Sequence, residues 1–262
     1  MTKTSLLKTA VFSAFLLANA ALNAEQITIG ATPVPHAEIL EFVKPKLKDL
    51  GYELDIKVFN DYVLPNKALD DKDLDANFMQ HLPYLLEFNK ANGTNIKSAF
   101  DVHLEPMGAY SKKFKNTNEI KDGAKIAVPN DPTNESRALD LLAKNGLFSI
   151  NESVALKTPL DIKDNPRKFE VIELESPTLP RALADVDIAV INSNFAIDAG
   201  LDPLKDTIFT EDGKNNPYAN IVAVLPENEN SDKTQALKKV LIHEDTKKMI
   251  NEKYKGAVIP AF

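Results

Sequence analysis

Apolar and polar positions alternate, then take a helical spacing, then alternate again near the start of the chain. Residues 26–32 (QITIGAT) place their large apolar side chains on one face, which predicts a strand. Residues 37–50 (AEILEFVKPKLKDL) have the spacing of a helix, which we expect Pro45 to kink or split and Gly51 to end. Residues 52–59 (YELDIKVF) alternate again. The pattern predicts a β-α-β unit with a parallel strand pair and a right-handed crossover.

Strand and helix patterns continue to alternate up to the end of the chain. Strands are predicted over residues 104–111, 124–128, 169–174, 187–191 and 220–225, and helices over residues 134–144, 179–184, 232–241 and 245–254, with a short helix before Gly200. This alternation predicts an α/β fold with mostly parallel sheets. Ligands of such sheets bind at the carboxyl ends of the strands, and several polar motifs of this chain follow predicted strands.

The first 24 residues have the pattern of a secretory signal peptide. Lys3 and Lys8 precede a short apolar run at residues 10–17 (AVFSAFLL), and small residues follow up to Ala24. The run is much shorter than the roughly 20 residues needed to span a bilayer. We therefore expect residues 1–24 to be removed on secretion, with cleavage after Ala20 as the alternative.

Composition and charge restrict the chemistry of the chain. The net charge is −7, and removing the two lysines of the first 24 residues leaves −7 − 2 = −9, which argues against a nucleic-acid partner. No cysteine is present, so we expect no disulfide, thiolate metal site or lipid anchor. The four histidines are too far apart for a local zinc motif. Since nucleophile-elbow, phosphate-loop and dinucleotide motifs are also missing, we predict no enzyme, no metal and no cofactor.

One polar motif predicts a site for a carboxylate. In residues 129–137 (PNDPTNESR), Asp131 can cap a helix that has Pro132 in its first position. A helix N-terminus attracts anions, and the guanidinium of Arg137 can hold a carboxylate through two hydrogen bonds. A well-capped helix with a surface arginine is the alternative interpretation.

Two other segments supply aromatic and amide side chains. Residues 75–84 (DANFMQHLPY) combine side-chain types that line pockets for ligands with one polar and one apolar end. Asn192 and Asn194 follow an apolar strand, where amides suit the ammonium and carboxylate groups of an amino acid. Packing beneath a loop and ordinary turn chemistry are the alternatives for these segments.

The ordered set of motifs resembles the methionine-binding periplasmic lipoproteins, which are the substrate-binding components of methionine ABC importers. The resemblance runs from about residue 27 to residue 262 and rests on GATPVPHAEILE (30–41), FNDYVLPNKAL (59–69), LDANFMQHLPYL (74–85), EPMGAYSKK (105–113), VPNDPTNESRAL (128–139), ELESPTLPRAL (173–183), DVDIAVINSNFA (185–196), PYANIVAV (217–224) and YKGAVIPAF (254–262). It implies a two-lobed, type II-like periplasmic binding protein with the ligand cleft between its lobes.

The resemblance also implies the lobes and the binding residues. One lobe would comprise residues 25–107 and 220–262 and the other residues 108–219, with hinges near residues 106–110 and 216–220. Arg137 would hold the ligand carboxylate, and two amides would bind its amino and carboxylate groups. The expected binding residues are Tyr62, Phe78, His81, Tyr84, Arg137, Asn192 and Asn220.

The function implied is that of a monomeric periplasmic protein that captures methionine, the L form in preference to the D form, for an ABC transporter permease. Two features depart from the family: the lipid-bearing cysteine is absent, and Met79 stands where members usually have Phe. The first predicts an unlipidated protein. The second allows the ligand preference to shift toward a methionine-containing dipeptide or another apolar amino acid. A surface-antigen or adhesin role and a periplasmic enzyme are further alternatives.

Overall fold

The structure is a computed structural model that describes residues 24–214 and 216–262. The predicted signal peptide therefore lies outside the described residues, apart from Ala24. The strands are β1 (Glu25–Ala31), β2 (Tyr52–Val58), β3 (Ala76–His81), β4 (Lys97–Leu104), β5 (Gly108–Tyr110), β6 (Lys125–Pro129), β7 (Ser149–Ile150), β8 (Ile162–Asp164), β9 (Glu170–Leu174), β10 (Ile188–Ile191), β11 (Thr207–Thr210), β12 (Ala219–Val224) and β13 (Ile259–Pro260). The α-helices are α1 (Glu38–Asp49), α2 (Leu64–Asp70), α3 (Leu82–Asn92), α4 (Pro132–Lys144), α5 (Leu179–Ala182), α6 (Ser193–Asp198), α7 (Asp232–Leu241) and α8 (Glu244–Tyr254).

The β-α-β unit at the start of the chain is confirmed. β1 and β2 pair in parallel, in register from Glu25 with Tyr52 to Ala31 with Val58. α1 is one continuous helix through Pro45, so the helix is not split there, and a kink at Pro45 stays a prediction. Proline removes the hydrogen bond to the carbonyl four residues earlier, but here both Pro45 and Glu41 are exposed, so water can satisfy that carbonyl.

Two mixed sheets form the two lobes of the molecule. The first sheet has the order β13-β4-β12-β3-β1-β2 and the second the order β11-β5-β10-β6-β9. Parallel pairs occur among β1, β2 and β3 and among β6, β9 and β10, whereas the other pairs in both sheets are antiparallel. The expectation of mostly parallel sheets is therefore wrong, because the strands next to the connections between the sheets run antiparallel to their neighbours.

Each sheet has apolar clusters on both faces. In the first lobe, α1, α7 and α8 contribute to one cluster and α2 and α3 to the other. In the second lobe, α4 contributes to one cluster and α5 and α6 to the other. Both sheets are thus covered on their two faces, which leaves the space between the lobes as the place where polar side chains from both can meet.

The chain crosses between the sheets twice. The first crossing lies between the end of β4 at Leu104 and the start of β5 at Gly108, and the second between Thr210 and Ala219. The strand predicted over residues 104–111 is therefore two strands separated by the first crossing. The predicted lobe boundaries and hinges fall in or beside these crossings, and the lobe assignment stays a prediction.

β3 is a strand that the polarity pattern does not reveal. All six of its residues are buried, including Asn77 and Gln80. Their amides form a closed network with Asn66 of α2, in which Asn77 Nδ2 and Gln80 Nε2 donate to Asn66 Oδ1 over 2.8 and 2.6 Å. Because buried polar groups are tolerated when they are hydrogen-bonded, the strand can lie inside the sheet.

Among the residues that the structure describes, no helix is long and apolar enough to cross a membrane.

Candidate functional site

A pocket lies where the two lobes meet. It contains about 330 Å³ of empty space, including its opening to solvent. Its walls come from both lobes and from the first crossing. The lining residues are Tyr62, Met79, Gln80, His81, Tyr84, Glu105, Asn134, Arg137, Asn192, Ser193, Asn194 and Asn220.

Side-chain hydrogen bonds join the lobes across this pocket. Tyr62 Oη donates to Asn194 Oδ1 over 2.6 Å, and His81 Nε2 lies 3.1 Å from Asn134 Oδ1. The other ring nitrogen of His81 accepts from the Tyr84 backbone N–H at the start of α3, which leaves Nε2–H as the donor. Burial, together with the charge of Arg137, lowers the pKa of His81 to about 3. His81 is therefore a neutral donor that bridges the two lobes.

The predicted cap of α4 is confirmed. The Asp131 side chain accepts from the Asn134 backbone N–H over 2.9 Å, and Pro132 occupies the first helical position. Asn134 Nδ2 also donates to the Asp131 carboxylate. The helix N-terminus thus already holds a carboxylate of the chain, and its contribution to the pocket is Asn134, whose Oδ1 accepts from Asn192 Nδ2 over 2.9 Å.

Arg137 lines the pocket, but its guanidinium already forms a bidentate ion pair within the protein. Its Nε and Nη2 donate to the carboxylate of Glu211, over 2.7 and 2.5 Å. Nη2 also donates to the Glu105 backbone carbonyl, and the guanidinium lies 4.2 Å from the centre of the Tyr218 ring. Among the described residues only Nη1 of this guanidinium has no acceptor. Arg137 therefore cannot form a bidentate pair with a ligand carboxylate in this arrangement. Its Nη1 can still donate one hydrogen bond to such a carboxylate.

Asn192 and Asn220 present complementary atoms. Asn192 uses Nδ2 to bond Asn134, and its buried Oδ1 has no partner within the described chain. Asn220 uses Oδ1 to accept from His36 Nε2 over 3.1 Å, which leaves its Nδ2 as the donor. One side chain therefore offers an acceptor to the pocket and the other a donor, as a zwitterionic ligand requires.

Aromatic rings form the other wall. The Tyr62 and Tyr84 ring centres are 5.8 Å apart in an edge-to-face arrangement. His81 lies edge-on to Tyr218 at 4.9 Å. Burial raises the pKa of Tyr62 and of Tyr84, so both keep neutral hydroxyls. This side of the pocket can surround an apolar or thioether group.

Phe78 is not part of this wall, and its predicted placement is wrong. The register of β3 with β12 pairs Phe78 with Val222 and Gln80 with Ile221, so Met79 is an extra residue between them. Phe78 faces the cluster beneath α1 and is fully buried. Met79, its neighbour, lines the pocket instead. The other six predicted binding residues lie in the lining, where their binding role stays a prediction.

Replacing Phe78 with leucine is expected to lower the free energy of unfolding by about 1–2 kcal/mol through lost packing. Because the side chain lies outside the pocket, ligand affinity should change less than about threefold. Tyr84→Leu is the matched variant inside the pocket, and it should weaken binding by about tenfold. Thermal unfolding and equilibrium titration of both variants test this, and a Phe78→Leu protein that is stable but fails to bind would contradict the placement.

The structure contains a second cluster of polar side chains that the sequence pattern does not reveal. His36, His103 and Glu105 place one donor atom each within 4.8 Å of the others, and all three are buried. Residues 36 and 103 are far apart in sequence, so spacing did not reveal the cluster, although His36 and Glu105 both lie in the motifs that carry the family resemblance. Imidazole and carboxylate groups can bind divalent metals. Here, however, each of these donor atoms has a hydrogen-bond partner in the protein.

Comparisons with known proteins agree with this architecture. The chain is 43% identical to the methionine-binding lipoprotein MetQ of Bacillus subtilis, over 90% of this chain and 88% of that one. It is 38% identical to the D-methionine-binding lipoprotein MetQ of Escherichia coli, over 89% and 87%. Among solved structures, a nutrient-binding protein of Burkholderia cenocepacia bound to methionine aligns with a TM-score of 0.87 and 41% identity, over 90% of this chain and all of that one. An ABC transporter periplasmic substrate-binding protein of Coxiella burnetii aligns with a TM-score of 0.86 and 41% identity, over 90% and 100%.

The fold and its pocket define the class as a two-lobed substrate-binding protein, as the sequence predicted. The sequence profile of the NlpA lipoprotein family matches residues 27–262. The chain belongs to that family. Several relatives are named lipoproteins, which conflicts with the expectation of an unlipidated protein, whereas the sequence contains no cysteine.

Proposed function

We propose that this protein binds methionine in the pocket between its lobes and delivers it to an ABC importer in the membrane. The observation that carries the proposal is a pocket with one hydrogen-bonding end and one aromatic end, in a chain whose relatives are named for methionine. Function is binding without covalent chemistry, because the relatives are substrate-binding transport proteins. Ligand capture is expected to accompany closure of the lobes about the two crossings.

Each part of methionine has a chemically suitable place. Arg137 Nη1 and Asn220 Nδ2 are donors for the ligand carboxylate, and Asn192 Oδ1 is an acceptor for its amino group. The thioether would lie among Tyr62, Tyr84 and Met79, since sulfur makes favourable contacts with aromatic rings and with other apolar groups. Binding of this kind requires a free carboxylate and an apolar side chain of limited length.

The ligand can be identified by mass spectrometry of small molecules released when the purified protein is denatured. We expect methionine, and competition between the enantiomers on the emptied protein should favour the L form. Release of a dipeptide or another apolar amino acid would keep the binding role and replace the ligand. A protein that releases nothing and binds no amino acid after refolding would overturn the proposal.

Secretion to the periplasm without a lipid anchor belongs to the same proposal. The support is the signal-peptide pattern of residues 1–24 and the absence of cysteine from the sequence, against relatives that are named lipoproteins. The intact mass of the protein from the periplasmic fraction tests both points. The expected mass is that of an unmodified chain that begins at Glu25. A mass increased by a lipid would contradict the unlipidated form.

A further inference from the structure

Glu105 places a buried carboxylate in the wall of the pocket. It lies on the first crossing between the lobes, is 6% exposed and belongs to the pocket lining. Its Oε1 is 2.8 Å from His103 Nε2 and 3.3 Å from His36 Nε2. The carboxylate therefore accepts from His103 and from the backbone N–H of Asn194, and His36 lies beside it while its Nε2–H donates to Asn220.

These imidazoles supply hydrogen bonds but no charge. Burial lowers the pKa of His36 to about 4 and that of His103 to about 3. Thr32 Oγ1 lies 2.7 Å from His36 Nδ1, so the hydroxyl can donate there and leave the ring proton on Nε2. His103 needs Nε2–H to reach Glu105, which matches its buried Nδ1 having no partner among the described residues. Both rings are neutral and turn N–H groups toward the carboxylate and its surroundings.

The cation nearest to Glu105 is already neutralised. Arg137 touches the Glu105 backbone carbonyl, but its Nε and Nη2 are paired with Glu211. The single positive charge of Arg137 therefore lies near two carboxylates, those of Glu211 and Glu105. Burial raises the pKa of Glu105, opposed by His36 and Arg137. An unpaired charge is costly to bury. A cation that enters the pocket would neutralise the charge of the Glu105 carboxylate.

A second acceptor borders the same pocket. Asn192 Oδ1 is buried without a partner in the described part of the chain, and its Nδ2 is fixed by Asn134. An ammonium group has three N–H donors and no acceptor. A carboxylate and an amide oxygen that line one small pocket match that donor set.

We propose that the Glu105 carboxylate is the counter-ion for the α-ammonium group of the ligand, with Asn192 Oδ1 as a second acceptor. His103 is a positioning residue that fixes the carboxylate. This assignment rests on the proposed amino-acid binding and deepens it. It implies that the site selects a free primary ammonium next to a carboxylate, and rejects ligands whose methionine nitrogen is acylated.

The test compares L-methionine with its desamino analogue, 4-(methylsulfanyl)butanoate, by titration of the emptied full-length protein. The wild type should bind methionine at least about 30-fold more tightly, the loss typical of removing one partner of a buried charge pair. Glu105→Gln should weaken methionine binding by a similar factor and change binding of the desamino analogue less than about threefold. Asp187→Asn, which removes a carboxylate charge of the second lobe outside the pocket lining, is the control and should leave both affinities unchanged.

Three results would overturn the assignment. Equal weakening of both ligands in Glu105→Gln would mean a structural role, and no weakening would mean no contact with the ligand. Equal affinity of the wild type for the two ligands would exclude an ammonium subsite, and this comparison needs no variant to fold. If the folded wild type binds neither compound, the proposed function itself has failed.

Discussion

Arg137→Ala is expected to weaken methionine binding by about 30-fold or more, because removal of a buried charged donor typically costs at least about 2 kcal/mol. The variant loses the donor assigned to the ligand carboxylate and also leaves Glu211 without its partner. Arg137→Lys should fall between the wild type and the alanine variant, since an ammonium keeps the charge but cannot form the planar pair with Glu211. Calorimetric titration with L-methionine measures the three affinities.

The arginine prediction has a matched control in the same lobe. Arg181 of α5 is exposed, and Arg181→Ala should leave affinity unchanged. Thermal unfolding separates loss of binding from loss of the fold in each variant. A folded Arg137→Ala protein with wild-type affinity would show that the ligand carboxylate is held elsewhere, and the orientation of the ligand in the pocket would then be wrong.

Lowering the pH from about 7 to about 4 is expected to reduce the free energy of unfolding by several kcal/mol. Burial lowers the pKa of His36 to about 4 and of His81 and His103 to about 3, from an ordinary 6.5. Below pH 6.5 the unfolded chain takes up protons that the folded chain does not bind. The stabilisation is therefore complete above pH 6.5 and is lost as the pH falls toward the folded-state pKa values, at up to about 1.4 kcal/mol per unit of pKa difference for each group.

Three buried carboxyls oppose this trend in part. Burial raises the pKa of Glu105 and Asp131, and raises that of Glu135 to about 8, so their protonation in the folded state recovers some stability on acidification. Urea unfolding at a series of pH values measures the net slope. His103→Gln should make the slope shallower. An unchanged slope in the His103 variant would contradict the neutral buried imidazole.

The sequence predicts those features whose causes are local. β1, α1 and β2 follow from the alternation and spacing of their apolar residues, and α4 follows from Asp131 and Pro132 at its start. The pocket residues after β10 were found because polar side chains at strand ends mark ligand sites in α/β folds. Those in and beside β3 were found from their mixture of aromatic and polar side chains. Six of the seven predicted binding residues accordingly line the pocket.

The features that the sequence missed depend on distant contacts. β3 carries buried amides whose partner, Asn66, lies in another element. Phe78 faces away from the pocket because it lies on the same face of β3 as Ala76 and pairs with Ala31 of β1, an alternation that can be used only once β3 is known to be a strand. The pairing of Arg137 with Glu211 joins α4 to the second crossing, 74 residues later. The cluster of Glu105 with two imidazoles likewise forms only when the first lobe is assembled.

The measurement that tests the central claim most directly is calorimetric titration of the emptied, folded wild-type protein with L-methionine. Saturable binding of one methionine per chain is predicted, with an increase in the unfolding temperature that follows the occupied fraction. The absence of heat and of any shift in the unfolding temperature, in a protein that remains folded, would contradict methionine as the ligand.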